Sequence, residues 1–304
     1  MPKHARRRFD DDDFTADIPP NANAGVDTDI DPDIDTYLDT YLAADTDPDG
    51  DIGVDYSTYH EHGVLHGPQP VPPWVITSPA AVDVDLGVLK TGKEAEVSLI
   101  RRELGGVSSL LAAKRYRSAD HRLFHRDAQY LEGRKERRSR ERRAMATRTS
   151  FGRDLIAGRW AQAEFEVLGR LWIAGAAVPY PVQLRGTELM MEFIGSADGV
   201  AAPRLAQLRP ELHELPPLFE QLRDALSHLA LAGFAHGDLS AYNVLVDDGR
   251  LVLIDVPQAV DLVGNPRGAD FLRRDCANIA AWFNARGLSV DSDRLAEDLI
   301  WLAR

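Results

Sequence analysis

His236-Gly237-Asp238-Leu239-Ser240-Ala241-Tyr242-Asn243, answered eleven residues later by Ile254-Asp255, is the stretch on which the reading of this chain turns. It lies between an apolar helical pattern (Leu218, Leu222, Ala225, Leu226 and Leu229, stopping near Gly233) and two β-type runs, Val244 to Val246 and Leu251 to Ile254. A loop in that position with the spacing H-x-D-L-x-x-x-N suits phosphoryl transfer. One carboxylate faces the attacking oxygen, an amide oxygen five residues on faces a metal, and a second carboxylate from the next strand bridges that metal to a triphosphate. Asp238, Asn243 and Asp255 supply these groups in order.

Such chemistry calls for a lysine on a strand upstream and a glutamate on the helix after it. Three β-type runs, Val84 to Leu89, Val97 to Arg102 and Leu110 to Tyr116, predict an antiparallel meander broken at Thr91-Gly92 and Gly105-Gly106. Lys114 is on the third run. Ala161, Phe165, Leu168 and Trp172 then recur at helical spacing, predicting a helix with one buried stripe that stops near Gly175. Glu164 on this helix is placed to fix Lys114 as an ion pair, whereas Glu166 projects from a different face. The first turn of the meander, Thr91-Gly92-Lys93-Glu94-Ala95-Glu96-Val97, has one glycine; its backbone N–H groups and Lys93 are candidates for binding phosphate.

Two more strands (Val182 to Leu184, Leu189 to Phe193) precede the helical part, which includes a second apolar face at Leu272, Cys276, Ile279 and Phe283. The expected fold is α+β and two-lobed, with a β-rich lobe over about 81–194 and a helical lobe over about 195–304. Residues 1–80 are set apart by composition. From Asp10 to about Tyr59 the chain is Asp, Thr, Pro and Ala with too few apolar groups to offset ordering, and is read as a disordered tail. Asp45, Asp47, Asp49, Gly50 and Asp51 open like a calcium-binding loop, but position twelve is Tyr56 rather than the bidentate Glu, so an acidic low-complexity tail is the better reading. The Pro-rich stretch from Gly67 to Pro79 reads as a linker.

The net charge of −13 belongs almost entirely to the tail: residues 1–60 hold 16 Asp against 4 Lys or Arg, and the other 244 residues carry 31 basic and 32 acidic side chains. Overall acidity therefore says little about the partners of the folded part. The run Arg134 to Arg143, with seven basic residues and two Glu, reads as an exposed loop or solvated helix able to touch RNA phosphate. The lone Cys276 can form no intramolecular disulfide and suits a reducing, cytoplasmic setting. No apolar run reaches the roughly 18–20 residues that a membrane span needs.

Thr-Gly-Lys-Glu-Ala-Glu-Val, Ala-Lys-Arg-Tyr, His-Gly-Asp-Leu-Ser-Ala-Tyr-Asn, Ile-Asp-Val-Pro-Gln-Ala-Val and Asp-Phe-Leu-Arg-Arg-Asp-Cys together resemble the RIO family of atypical serine/threonine protein kinases, from about Leu86 to Leu302. The first (Rio-one type) branch is the more similar, because the second opens with a winged-helix domain that this tail cannot be. The resemblance implies ATP and Mg2+ as cofactors and a protein substrate. It places Asp238 as base, Lys114 on the phosphates with Glu164 as its partner, and Asn243 and Asp255 on the metal. Thr91, Gly92, Lys93, Glu94, Ala95 and Val97 would line the nucleotide, with Met191 behind the adenine and Glu192, Phe193 and Ile194 as the hinge. It also implies a flexible insertion over Ser118 to Phe151 and no long activation loop; Asp270 follows Asp255 by only fifteen positions. Two alternatives share parts of the pattern: a small-molecule phosphotransferase of the aminoglycoside or choline kinase type, and a ribosome- or RNA-binding factor switched by ATP turnover.

Overall fold

The computed structural model describes residues 55–117 and 150–304, with side chains of the first helix described from residue 156. The calcium-like stretch up to residue 54, the acidic tail and the basic run 134–143 lie outside the described residues.

The expected meander is present and longer than its apolar runs: β2 (Val82–Thr91), β3 (Ala95–Leu104) and β4 (Val107–Tyr116) pair antiparallel in sequence. Strands β5 (Pro181–Arg185) and β6 (Glu188–Glu192) extend them, and a two-residue strand β1 (Leu65–His66) closes the far edge, giving the order β1-β5-β6-β4-β3-β2. The 24-residue helix α1 (Ser150–Ile173) packs on one face. Its expected single stripe is wider in fact. Ala161 to Phe165 are buried without a break, because the sheet lies on one side and the helical lobe's core continues on the other.

That lobe holds α2 (Leu215–Leu231), a strand pair β8 (Val244–Asp247) and β9 (Arg250–Leu253), a two-residue pair β7 (Phe234–Ala235) and β10 (Val260–Asp261), then α3 (Gly268–Asn284) and α4 (Ser292–Leu302). Local chemistry sets the ends. Gly233, at φ 83°, follows α2 in the left-handed conformation that glycine tolerates. The Asp291 carboxylate accepts the N–H groups of Asp293 and Arg294, both at 3.0 Å, and so starts α4. One apolar core runs from Tyr116, Leu184 and Leu189 through α1 to Leu222, Cys276 and Phe283.

The boundary expected near residue 81 needs correction. Asp55 to Ser57 lie along the start of β2, with Ser57 N–H donating to the Ala81 carbonyl and Asp83 N–H to that of Asp55, both at 2.8 Å. The chain then reaches the opposite edge of the sheet, pairs as β1 with β5, and returns to β2. Residues 55–80 thereby form a strap over the sheet's outer face. Tyr59 and Val75 join Ile100, Leu111, Ala113, Tyr180, Val182 and Met190 in a second core, with Trp74 edge-on to Tyr180. The stretch read as a linker is a layer of the fold.

Arg102 sits in this layer, wholly buried. Its guanidinium meets both Asp83 oxygens (2.7 and 2.8 Å), the Gln183 amide oxygen (3.1 Å) and the Ile76 carbonyl (3.4 Å), so β2, β3, β5 and the strap share one cation. Removing one partner of such a pair strands the other charge. Asp83→Ala is expected to cost about 3–5 kcal/mol in denaturant unfolding and Asp83→Asn clearly less; equal, small losses for both would show that the pair contributes nothing.

Candidate active site

The two lobes meet at Lys114. Strand alternation sends Leu111 and Ala113 to the strap and Ala112, Lys114 and Tyr116 toward α1 and the cleft. The Lys114 ammonium donates to Glu164 Oε1 and to Asp255 Oδ1, each at 2.8 Å. Burial alone would lower its pKa; the two carboxylates reverse that and raise it to about 12. Asp255 is shifted the other way. Its partial burial raises the carboxyl, and the bonded ammonium, helped by Lys90 and His236, more than offsets this and holds it below the ordinary carboxylate value. Asp255 also has φ 65°, a left-handed conformation that costs a non-glycine residue and turns the chain out of β9.

Glu164 is as expected on α1, almost wholly buried, and its second oxygen accepts from the Tyr116 hydroxyl. Tyr116 was missed: the alternation of β4 puts it on the face of Lys114, two residues on, and that signal was available. Glu166 bonds Gln162 instead, in keeping with its different face.

The loop bearing Asp238 and Asn243 runs between β7 and β8. Asp238 is exposed, and Asn243 Nδ2 donates to its carbonyl at 2.9 Å. Buried Asp275 on α3 accepts the N–H groups of Gly237 (2.7 Å) and Leu239 (3.0 Å), gripping the backbone on both sides of Asp238. Burial pushes the Asp275 carboxyl up, against the pull of His236 and the two amides. His236 Nε2 lies 3.1 Å from the Ile254 carbonyl and must carry the hydrogen there, tying the loop to the residue before Asp255. Gly237 has φ 82°, and a Cβ on it would sit 2.1 Å from the Gln258 carbonyl oxygen, so only glycine fits. In the sequence Asp275 is only one residue of Asp-Phe-Leu-Arg-Arg-Asp-Cys, because its role depends on a partner 38 residues away.

The turn between β2 and β3 corrects one expectation. Gly92 N–H donates to the Ala95 carbonyl at 2.8 Å, so this amide is used within the hairpin. Thr91 pairs with Glu96 and bonds its side chain, on the face away from the cleft. Val97 is opposite Lys114 and faces the cleft, while Lys93 and Glu94 are exposed at the tip. Met191 lies opposite Ala112 on the cleft side. In the connection between lobes, the Glu192 N–H donates to the Tyr180 carbonyl and the Ile194 carbonyl accepts from Ala202. The Glu192 N–H is therefore committed, whereas the Ile194 carbonyl, with two lone pairs, is not. Only a short connection with β10 separates Asp255 from α3.

A twisted sheet and helix over a helical lobe, with a lysine bonded to a helix glutamate and to a strand-end aspartate beside an Asp-x4-Asn loop, define the protein-kinase-like class of phosphotransferases. The RIO domain matches residues 111–295. The chain is 36% identical to the RIO-type serine/threonine-protein kinase Rio1 of Haloferax volcanii over 218 residues, 71% of this chain and 69% of that protein. It is 34% identical to the serine/threonine-protein kinase RIO1 of Caenorhabditis elegans and 28% to that of Saccharomyces cerevisiae, over 70% and 69% of this chain. These matches cover 40% and 46% of the nematode and yeast proteins. The chain belongs to the RIO kinase family, in its Rio1 branch.

Proposed function

We propose that this chain transfers the γ-phosphoryl group of ATP to a serine or threonine hydroxyl of a protein, using Mg2+. The observation that carries the reading is the Lys114 ammonium held at 2.8 Å by both Glu164 and Asp255, next to the loop that presents Asp238. Such a lysine is charged at any working pH and is aimed by two carboxylates at one place in the cleft, where phosphate oxygens would meet it.

Bound ATP and Mg2+ supply an electrophilic phosphorus whose charge is partly neutralised. The other parts belong to this chain. Asp238 takes the proton of the attacking hydroxyl, and Asp275 keeps it in place by holding the backbone on either side. Asn243 has given its Nδ2 to the Asp238 carbonyl, which leaves Oδ1 as a ligand; Asp255 has given Oδ1 to Lys114, which leaves Oδ2. Asn243 Oδ1 and Asp255 Oδ2 would together hold Mg2+, a cation that is commonly bound by only one or two protein oxygens. Met191, Val97 and the Glu192 to Ile194 connection line the base.

The full chain incubated with γ-labelled ATP, Mg2+ and lysate protein is expected to yield phosphoserine or phosphothreonine. Label released only as inorganic phosphate would reduce the activity to an ATPase, and label found only on an aminoglycoside would overturn the reading. The acceptor protein belongs to the same proposal, as does RNA contact through 134–143. Among the described residues no helix is long and apolar enough to cross a membrane.

A further inference from the structure

The register of the meander puts Lys90 opposite Val97, and Val97 opposite Lys114. Directly opposed residues project from one face of a sheet, so Lys90 faces the cleft in the same row as Lys114. A register shift between Val88 and Lys90 brings this about, since Val88 pairs with Ser98 and Lys90 with Val97. From the other wall comes Arg204. Its Nη1 donates to the Tyr242 carbonyl at 2.6 Å, and its backbone bridges Leu245, fixing the guanidinium beside the loop of Asp238 and Asn243.

The two cations act on each other. The Lys90 ammonium is held below its ordinary pKa, first by partial burial and then by the charge of Arg204, with Lys114 adding to the effect. The carboxylate pulling the other way is Asp255, which is already bonded to Lys114. Like charges kept near one another in a cleft are favourable only with an anion between them. The glycine-poor turn adds to the case, because the Gly92 amide is spent on Ala95 and cannot serve a phosphate.

We propose that Lys90 and Arg204, one from each lobe, form a cation clamp that binds the phosphate chain of the nucleotide beside Lys114. The clamp takes over from the missing glycine amides. It also couples the lobes, because an anion bound between the two cations relieves their mutual repulsion and ties one wall of the cleft to the other. This rests on the ATP-dependent reading above.

Calorimetric titration of wild type, Lys90→Met, Lys90→Arg, Arg204→Met and the double variant Lys90→Met with Arg204→Met, with ATP and with adenosine, tests it, in Mg2+ at fixed salt. Loss of a charge-assisted bond to phosphate is expected to weaken ATP binding about tenfold in Lys90→Met and in Arg204→Met. Adenosine binding stays within about twofold and Lys90→Arg keeps most of the ATP affinity, as expected when only a phosphate contact is lost. A smaller loss in the double variant than the product of the singles is the mark of two groups gripping one anion. ATP affinity unchanged in Lys90→Met, or ATP and adenosine weakened alike, would overturn the clamp. Lys90 is an exposed strand residue, so its variants decide the matter even if Arg204→Met does not fold. A wild type that binds no ATP would sink the proposed function itself, a different result from a variant that binds like wild type.

Discussion

Asp238→Asn is expected to reduce phosphate transfer by about 10²–10⁴-fold, the range for loss of a general base, while ATP and Mg2+ bind nearly as before. The amide keeps the shape of the carboxylate, and the contacts that place the residue are made by backbone: the Asp238 carbonyl to Asn243, and the amides of Gly237 and Leu239 to Asp275. Asp255→Ala should behave differently. It removes a proposed metal oxygen and one of the two carboxylates on Lys114, so magnesium-dependent ATP binding and turnover fall together. Calorimetry at several Mg2+ concentrations, beside the turnover of both variants, separates the roles. Loss of binding in Asp238→Asn with both properties kept in Asp255→Ala would reverse the assignment.

Asp275 gives the second large effect. Asp275→Ala leaves two buried N–H groups without an acceptor, each costing about 1–3 kcal/mol, so unfolding free energy should drop by about 2–6 kcal/mol. Turnover should fall more than ATP affinity, because the loop carrying Asp238 loses its grip while Lys114, Glu164 and Asp255 keep theirs. Asp275→Asn, which can accept one of the two bonds, should recover part of both. If Asp275→Ala lost stability but turned over at the wild-type rate in conditions where it is folded, Asp275 would be a structural residue only.

The parts of this site that could be read from the sequence are those whose geometry is local. Asp238 and Asn243 are five apart in one loop, and Asp255 ends the adjoining strand, so their spacing already states their relation. Lys114 and Glu164 followed from element order: a strand lysine, then a helix glutamate. Lys90 was passed over because its face depends on an irregularity in pairing, and an alternation count cannot see a register shift between Val88 and Lys90. Arg102 ends a β-type run, and nothing local shows that it is buried, because its partners Asp83 and Gln183 are 19 and 81 residues away. Composition misled at residues 55–80. Proline-rich and polar residues do suit a linker, yet Tyr59, Trp74 and Val75 supply enough apolar surface to cover a sheet face that was apolar for a reason.

That strap has a practical consequence for anyone handling the protein in pieces. A chain trimmed to begin at residue 81, where the composition changes, would keep every residue proposed for nucleotide and metal. It would also bare Ile100, Leu111, Ala113, Val182 and Met190 to water and deprive Arg102 of the Ile76 carbonyl. A contiguous apolar face of that kind drives self-association. Poor yield or precipitation of such a fragment would therefore report a missing outer layer rather than a defective enzyme, and trimming at residue 54 avoids the problem by keeping the strap and its pairing along β2 intact.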